Sequence, residues 1–119
     1  MAEPSSRDHD RALQRHGIQG NVDVYDNLRD VYIGRLVNIH AQGLMIMGDV
    51  PLEEDKLYKL DLHLPKAINE HTSIHLGVDC LWTRNADHNG KHWAGFTIID
   101  LSPQAAEDIR LLVEQLGQD

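Results

Sequence analysis

R-L-V-N-I-H-A-Q-G-L-M-I-M, running from Arg35 to Met47, decides how this chain folds. Two apolar runs, Val31 to Ile39 and Leu44 to Met47, flank a break at His40, Ala41, Gln42 and Gly43, the pattern of two strands joined by a tight turn. A connection this short calls for a residue at positive φ, and Gly43 is expected to supply it, since glycine carries no Cβ and also admits close backbone neighbours. Asn38 and His40 fall at the end of the first strand. Polar side chains there can satisfy the turn's own amides, and they also stand beside exposed backbone where a ligand can be met.

Outward from this hairpin, the chain reads as a series of short strands. Val22 and Val24 alternate with Asp23 and Tyr25 and stop at Asp26-Asn27. In the strand from Val31, Val31, Ile33, Val37 and Ile39 share one parity with Arg35, less clean than a two-faced strand should be but tolerable in a barrel wall. Gly48-Asp49-Val50-Pro51 and the acidic run Glu53, Glu54, Asp55 form a solvated loop. Leu60, Leu62 and Leu64 then alternate with Lys59, Asp61 and His63 until Pro65, which is expected to end the strand. Ile74, Leu76, Val78, Cys80 and Trp82 hold one parity to about Arg84-Asn85, Asn89-Gly90 signals a hairpin, and Trp93 to Ile99 returns as a sixth strand. Ser102-Pro103 reads as a cap followed by proline at the first helical position. Ala106, Ile109, Leu112, Val113 and Leu116 give the helix one apolar stripe, and Gly117 ends it. The expected architecture is all-β: a small six-stranded antiparallel β-barrel with a C-terminal α-helix. Residues 1–19 form an arginine-rich N-terminal arm without apolar periodicity, and residues 20–119 the barrel and helix.

At 119 residues the chain suffices for one core. The lone Cys80 sits in an apolar run and is expected in the core of a protein from a reducing compartment. The N-terminus lacks an apolar h-region and no stretch reaches the roughly 20 apolar residues of a spanning helix, so the expectation is a cytoplasmic protein without membrane insertion. A formal charge of -8, from 19 acidic and 11 basic residues, argues against nucleic acid as a partner. Arg7, Arg11 and Arg15, spaced by four, nevertheless concentrate positive charge where a small anion can be met, or pair with Asp8 and Asp10 on a solvated arm. Among the eight histidines, His71/His75 and His88/His92 are four apart, a metal spacing on helices but not in a strand or across a hairpin, so no metal site is expected. No nucleophile motif, Gly-rich phosphate loop or carboxylate dyad accompanies them, so no enzyme and no cofactor is expected.

The order of parts resembles the PilZ domain. The resemblance runs from Arg7 to about Leu116 and rests on R-x-x-x-R in the arm and [D/N]-x-S-x-x-G at the turn, followed by C-L-W-T-R and W-A-G-F-T-I-I-D-L-S. It implies a six-stranded barrel that binds the bacterial second messenger cyclic di-GMP, often as a stacked, intercalated dimer. Carried over, Arg11 and Arg15 match the arginine pair with Arg7 upstream, Asn38 matches the D/N position, and Gly43 the terminal glycine. Trp82 and Arg84 lie where some family members place a tryptophan and an arginine beside the ligand, although alternation alone buries Trp82 with Cys80 and Val78. The chemistry agrees with the carry-over. A guanidinium can fork onto phosphate, bond guanine O6 and N7, or stack on a base, and Asn38 offers a donor and an acceptor to a guanine edge. An arm that orders over the ligand converts occupancy into a changed surface for a downstream protein partner, a receptor's mechanism. The departure is His40 in place of the motif serine, where imidazole either crowds the guanine or replaces the hydroxyl with a ring N–H. PilZ domains with altered motifs that do not bind the nucleotide serve in protein contacts, which is the alternative reading.

Overall fold

The computed structural model describes residues 16–18, 21–85 and 90–118. The strands are β1 (His16–Ile18), β2 (Asp23–Asp26), β3 (Val31–His40), β4 (Gly43–Gly48), β5 (Leu57–Ile68), β6 (His71–Asn85), β7 (His92–Asp100) and β8 (Gly117–Gln118), with helix α1 (Pro103–Leu116) before the last. Neighbouring strands pair antiparallel in the order β2-β5-β6-β7-β4-β3, and a further pairing of β2 with β3 closes these six into a barrel. β2 achieves the closure by pairing on both sides, Asp23 opposite His63 of β5 and opposite Arg35 of β3. Closure leaves no long edge of unpaired amides in the ring.

The alternation of the sequence becomes the inside of this barrel. Leu60, Leu62, Ile74, Val78 and Cys80 from β5 and β6 meet Val24, Ile33, Leu36, Ile39, Ile46 and Phe96 from the other strands, all essentially without exposure. The uneven parity of β3 has a physical cause, because the strand carries register irregularities in its pairing with β2 and again between Leu36 and Asn38 against β4. Each extra residue shifts the inward set by one position, so Ile33, Leu36 and Ile39 all point in while Arg35 does not.

The expectation that Pro65 ends β5 is corrected. The strand continues to Ile68, but its ladder with β6 is in register only from Leu57 to His63 and resumes at Ile68, and β2 pairs no further than His63. Pro65 thus sits where no ladder asks for its missing N–H. At the far hairpin β6 and β7 pair as far as Asn85 with His92, and Gly90 has φ 69°; Asn89 lies outside the described residues. The last part of the expected arm, His16–Ile18, forms β1 on β3.

Helix α1 starts as its sequence dictates, with the Ser102 hydroxyl accepting the Ala105 N–H at 3.0 Å. Ala105, Ile109 and Leu112 are buried, and the carboxylate of buried Asp108 meets His71 Nδ1 at 2.9 Å, tying the helix to the end of the barrel where β6 begins. No described helix is long and apolar enough to cross a membrane.

Cys80 is fully buried, and burial pushes its thiol up to about 11, with the nearby Glu54 carboxylate adding to the rise. The folded protein at pH 8 is therefore expected not to react with Ellman's reagent over hours, and to release one equivalent of thionitrobenzoate once urea unfolds it.

Candidate functional site

The hairpin that opened the sequence reading ends in a turn pinned from three directions. The Gln42 N–H donates to His40 Nδ1 at 3.0 Å, and the Gln42 carbonyl accepts from the Ile98 N–H at 2.8 Å and the Thr97 hydroxyl at 3.2 Å. The expectation of positive φ at Gly43 is corrected: Ala41, Gln42 and Gly43 all have ordinary negative-side backbone, and the glycine is required by crowding instead. A Cβ on Gly43 would stand 2.6 Å from the Phe96 carbonyl oxygen of β7, closer than side chains come to backbone, and 3.4 Å from His40 Nε2. The His40 ring thus lies across Gly43, and β7 passes directly behind it.

From this turn, the cross-strand register lays the expected residues out in rows on the outer face. Asn38 pairs with Met45, Met45 with Gly95, and Gly95 with Trp82, giving one row across β3, β4, β7 and β6. His40, Gly43 and Thr97 form the next row. Trp82 belongs to the outer row because Leu81 is an extra residue in β6: Cys80 pairs with Phe96, but Trp82, two residues on, pairs with Gly95. The bulge reverses the parity, so Trp82 is half-buried on the outside and not in the core with Cys80 and Val78. Its indole lies flat on the β7 backbone, where a Cβ on Gly95 would come within 2.2 Å of Trp82 Nε1. Arg84, on the same face, places its guanidinium carbon 5.7 Å from the Trp82 ring centroid.

Two hollows meet at His40. A cleft of about 30 Å³ runs among His40, Met45, Trp82 and Gly95, and a groove of about 300 Å³ separates His40 and Ala41 from Ile109, Arg110 and Val113 of α1. Arg110 at the groove's rim is held by Glu107 at 2.6 Å and by Glu114, which raise its pKa further. Deeper in the row, Asn38 Oδ1 is buried and has no hydrogen-bond partner among the described residues. A buried carbonyl oxygen in that position costs on the order of 1–3 kcal/mol until a donor reaches it. The strand beside Asn38 is β1, with Gly17 opposite Asn38 and His16 opposite Ile39, so β1 begins at the turn end of β3.

The fold has known counterparts. The PilZ domain profile matches residues 6–115. The chain belongs to the PilZ domain family. Among solved structures, the PilZ domain of YcgR from Escherichia coli with c-di-GMP superposes at TM-score 0.71 with 11% identity, over 89% of this chain and 90% of that one. The Bacillus subtilis inhibitor of motility MotI superposes at TM-score 0.62 with 17% identity, over 86% of this chain; the chain spans 51% of MotI's length. At these identities the likeness is one of fold. No curated protein sequence matches the chain.

In this PilZ domain Asn38, His40, Gly43, Trp82 and Arg84 all share one outer face, while Arg7, Arg11 and Arg15 lie outside the described residues. Met45 and Gly95, which complete the row between Asn38 and Trp82, were not among the expected site residues, although Gly95 stands in the W-A-G-F stretch. An isolated glycine inside an otherwise apolar strand was the available signal, since it marks a close approach to backbone. On another wall, the histidines spaced by four are drawn to separate carboxylates, His71 to Asp108 and His75 to Asp61. Among the described residues no group of three or more His, Cys, Asp or Glu could hold a metal.

Gly95→Ala forces the Trp82 indole off the strand and is expected to cost about 1–3 kcal/mol in urea unfolding, with red-shifted emission from Trp82 in a Trp93→Phe background. For Asp61, burial alone would raise the carboxyl, but hydrogen bonds from Asn27 and His75 outweigh it and hold the pKa below the usual range. A carboxyl lowered on folding stabilises above its unfolded pKa and loses that contribution as pH falls through the folded one. Asp61→Asn is therefore expected to lower the urea midpoint at pH 7, and the difference between wild type and variant is expected to shrink as the pH is taken below the usual carboxylate range.

Proposed function

We propose that this PilZ domain is a receptor for cyclic di-GMP, bound on the outer face of β3, β4, β7 and β6. The observation that carries the reading is the row Asn38, Met45, Gly95, Trp82 beside His40 and Gly43, in which a buried Asn38 oxygen lacks a partner among the described residues. A guanine N–H can reach that oxygen, and the Trp82 indole, seated on Gly95 and flanked by Arg84, offers a face for stacking. The solved YcgR domain with c-di-GMP supports the choice of ligand.

Arg11 and Arg15, with Arg7 upstream, are assigned to the phosphates and base edges. Arg15 is bonded to His16, whose partner is Ile39, so about 3.8 Å of chain separates the motif arginine from a strand already paired beside Asn38 and His40. The tether keeps the local concentration of guanidinium high at the turn. Ordering of the arm on the ligand then changes the surface at the turn and the α1 groove, which a downstream protein partner reads. The role is binding and relay in the cytoplasm of a bacterium, without catalysis, metal or cofactor.

Calorimetry of the protein with cyclic di-GMP is the test. Saturable heat is expected, and Arg11→Ala and Arg15→Ala are each expected to weaken binding about 10- to 100-fold, the scale of a lost charge-assisted hydrogen bond to phosphate. Absence of heat at high micromolar ligand would overturn the receptor reading in favour of a domain used only for protein contacts.

A further inference from the structure

On the outer wall of β5, β6 and β7 a second apolar area adjoins the Trp82 row through Leu81. Leu57 is 63% exposed, Leu81 54% and Ile99 54%, and the ladders gather the three. Leu57 of β5 stands opposite Asp79 of β6, which stands opposite Thr97 of β7. Leu81 lies two positions on from Asp79 and Ile99 two positions on from Thr97, and because the strands run antiparallel they flank that row on opposite sides. The rim is acidic, and the backbone makes it so. The Asp55 N–H donates to the Cys80 carbonyl at 2.8 Å and the Thr83 N–H to a Glu54 carboxylate oxygen at 3.1 Å, so the acidic loop is fastened to β6 on either side of Leu81. Among the described residues no cation lies within ion-pair distance of Glu54, Asp55 or Asp79. After burial, these same three carboxylates push the Cys80 thiol up, so their field reaches through the wall.

We infer that this wall docks a short segment of another protein in which aliphatic residues are interspersed with lysine or arginine. Exposed aliphatic side chains grouped on a rigid sheet and rimmed by charge are where interaction sites sit, and the sign of the rim selects the partner. Nucleic acid and anionic membrane are repelled by it. A second copy of the chain would bring the same carboxylates against their like. Three aliphatic side chains also fall well short of the roughly 800 Å² per partner that a stable association of two folded proteins buries, whereas a segment of chain needs less. Leucine-sized anchors on the segment meet Leu57, Leu81 and Ile99, and its cations meet Asp79 within the patch and Glu54 and Asp55 at the edge. The inference does not depend on nucleotide binding.

Fluorescence anisotropy without nucleotide tests this, using a short labelled peptide in which lysines alternate with leucines, one with glutamate in place of lysine, and one with serine in place of leucine. The full chain is expected to bind the first, more weakly as salt is added, and neither of the others. Asp55→Asn combined with Asp79→Asn is expected to weaken binding about three- to tenfold, and Leu57→Ser combined with Leu81→Ser about tenfold or more. All four positions lie on the surface, and a Cys80 that stays closed to Ellman's reagent verifies that the variants fold. Equal binding by wild type and both variants, binding of the glutamate peptide as tight as that of the lysine peptide, or no binding at high micromolar protein overturns the inference. So does a wild-type dimer in sedimentation that Leu57→Ser with Leu81→Ser dissolves, which makes the wall a self-contact. Binding that appears only when Arg7, Arg11 and Arg15 are all replaced by alanine gives the wall to the chain's own arm and also overturns it. Each of these failures leaves the receptor reading to its own calorimetric test.

Discussion

Two extra residues, Val37 in β3 and Leu81 in β6, set the constraint on which the outer face depends. In a closed barrel every strand must keep one parity inside, because a misplaced apolar set has no second sheet to hide under. With Leu81 inserted, Cys80 and Phe96 remain in the core while Trp82, only two positions on, comes out over Gly95. With Val37 inserted, Leu36 and Ile39 both point in, and Asn38 and His40 are released to the face that Trp82 occupies. The two bulges flank the same row from strands separated by β4 and β7, which is how residues more than 40 positions apart in sequence come to line one cleft.

This constraint also explains what could be read in advance and what could not. Strand order, the barrel and the helix with its Ser102 cap follow from alternation, turn residues and a helical stripe, all of which are local and appear in the sequence as written. A bulge is different: Leu81 continues the apolar run, so nothing in its neighbours announces that it is supernumerary, and strict alternation then buries Trp82 wrongly. Gly43 shows a related gap. Its place in the turn was apparent, but the reason for it, the Phe96 carbonyl of β7, belongs to a strand more than 50 residues away. Pro65 misled for the same reason, since whether a missing N–H matters depends on whether a ladder passes there.

The candidate site was the more readable part where it rested on motif residues, and the less so where it rested on their support. Asn38, His40, Gly43, Trp82 and Arg84 share a face, yet of the two residues that connect them Met45 belongs to no motif and Gly95 stands only inside the W-A-G-F stretch. Serving as floor is a property of register, and register is long-range. Asp61 is similar: it is unremarkable singly, and its carboxyl is perturbed because the fold brings Asn27 to one oxygen and β6 sets His75 opposite the other.

The ring closes through β2, and β1 and β8 are appended to it. β2 pairs with the first half of β3 and stops at Arg35, while β1 takes over at Asn38 and Ile39 and in turn carries Gly117 and Gln118 of β8. The described core residues come from the ring strands, from Val22 just before β2 and from α1. Local and global opening are separate processes in such a molecule. A ligand that meets the buried Asn38 oxygen bears on the β1–β3 ladder, which is two residue pairs long, and not on the ladders that close the barrel.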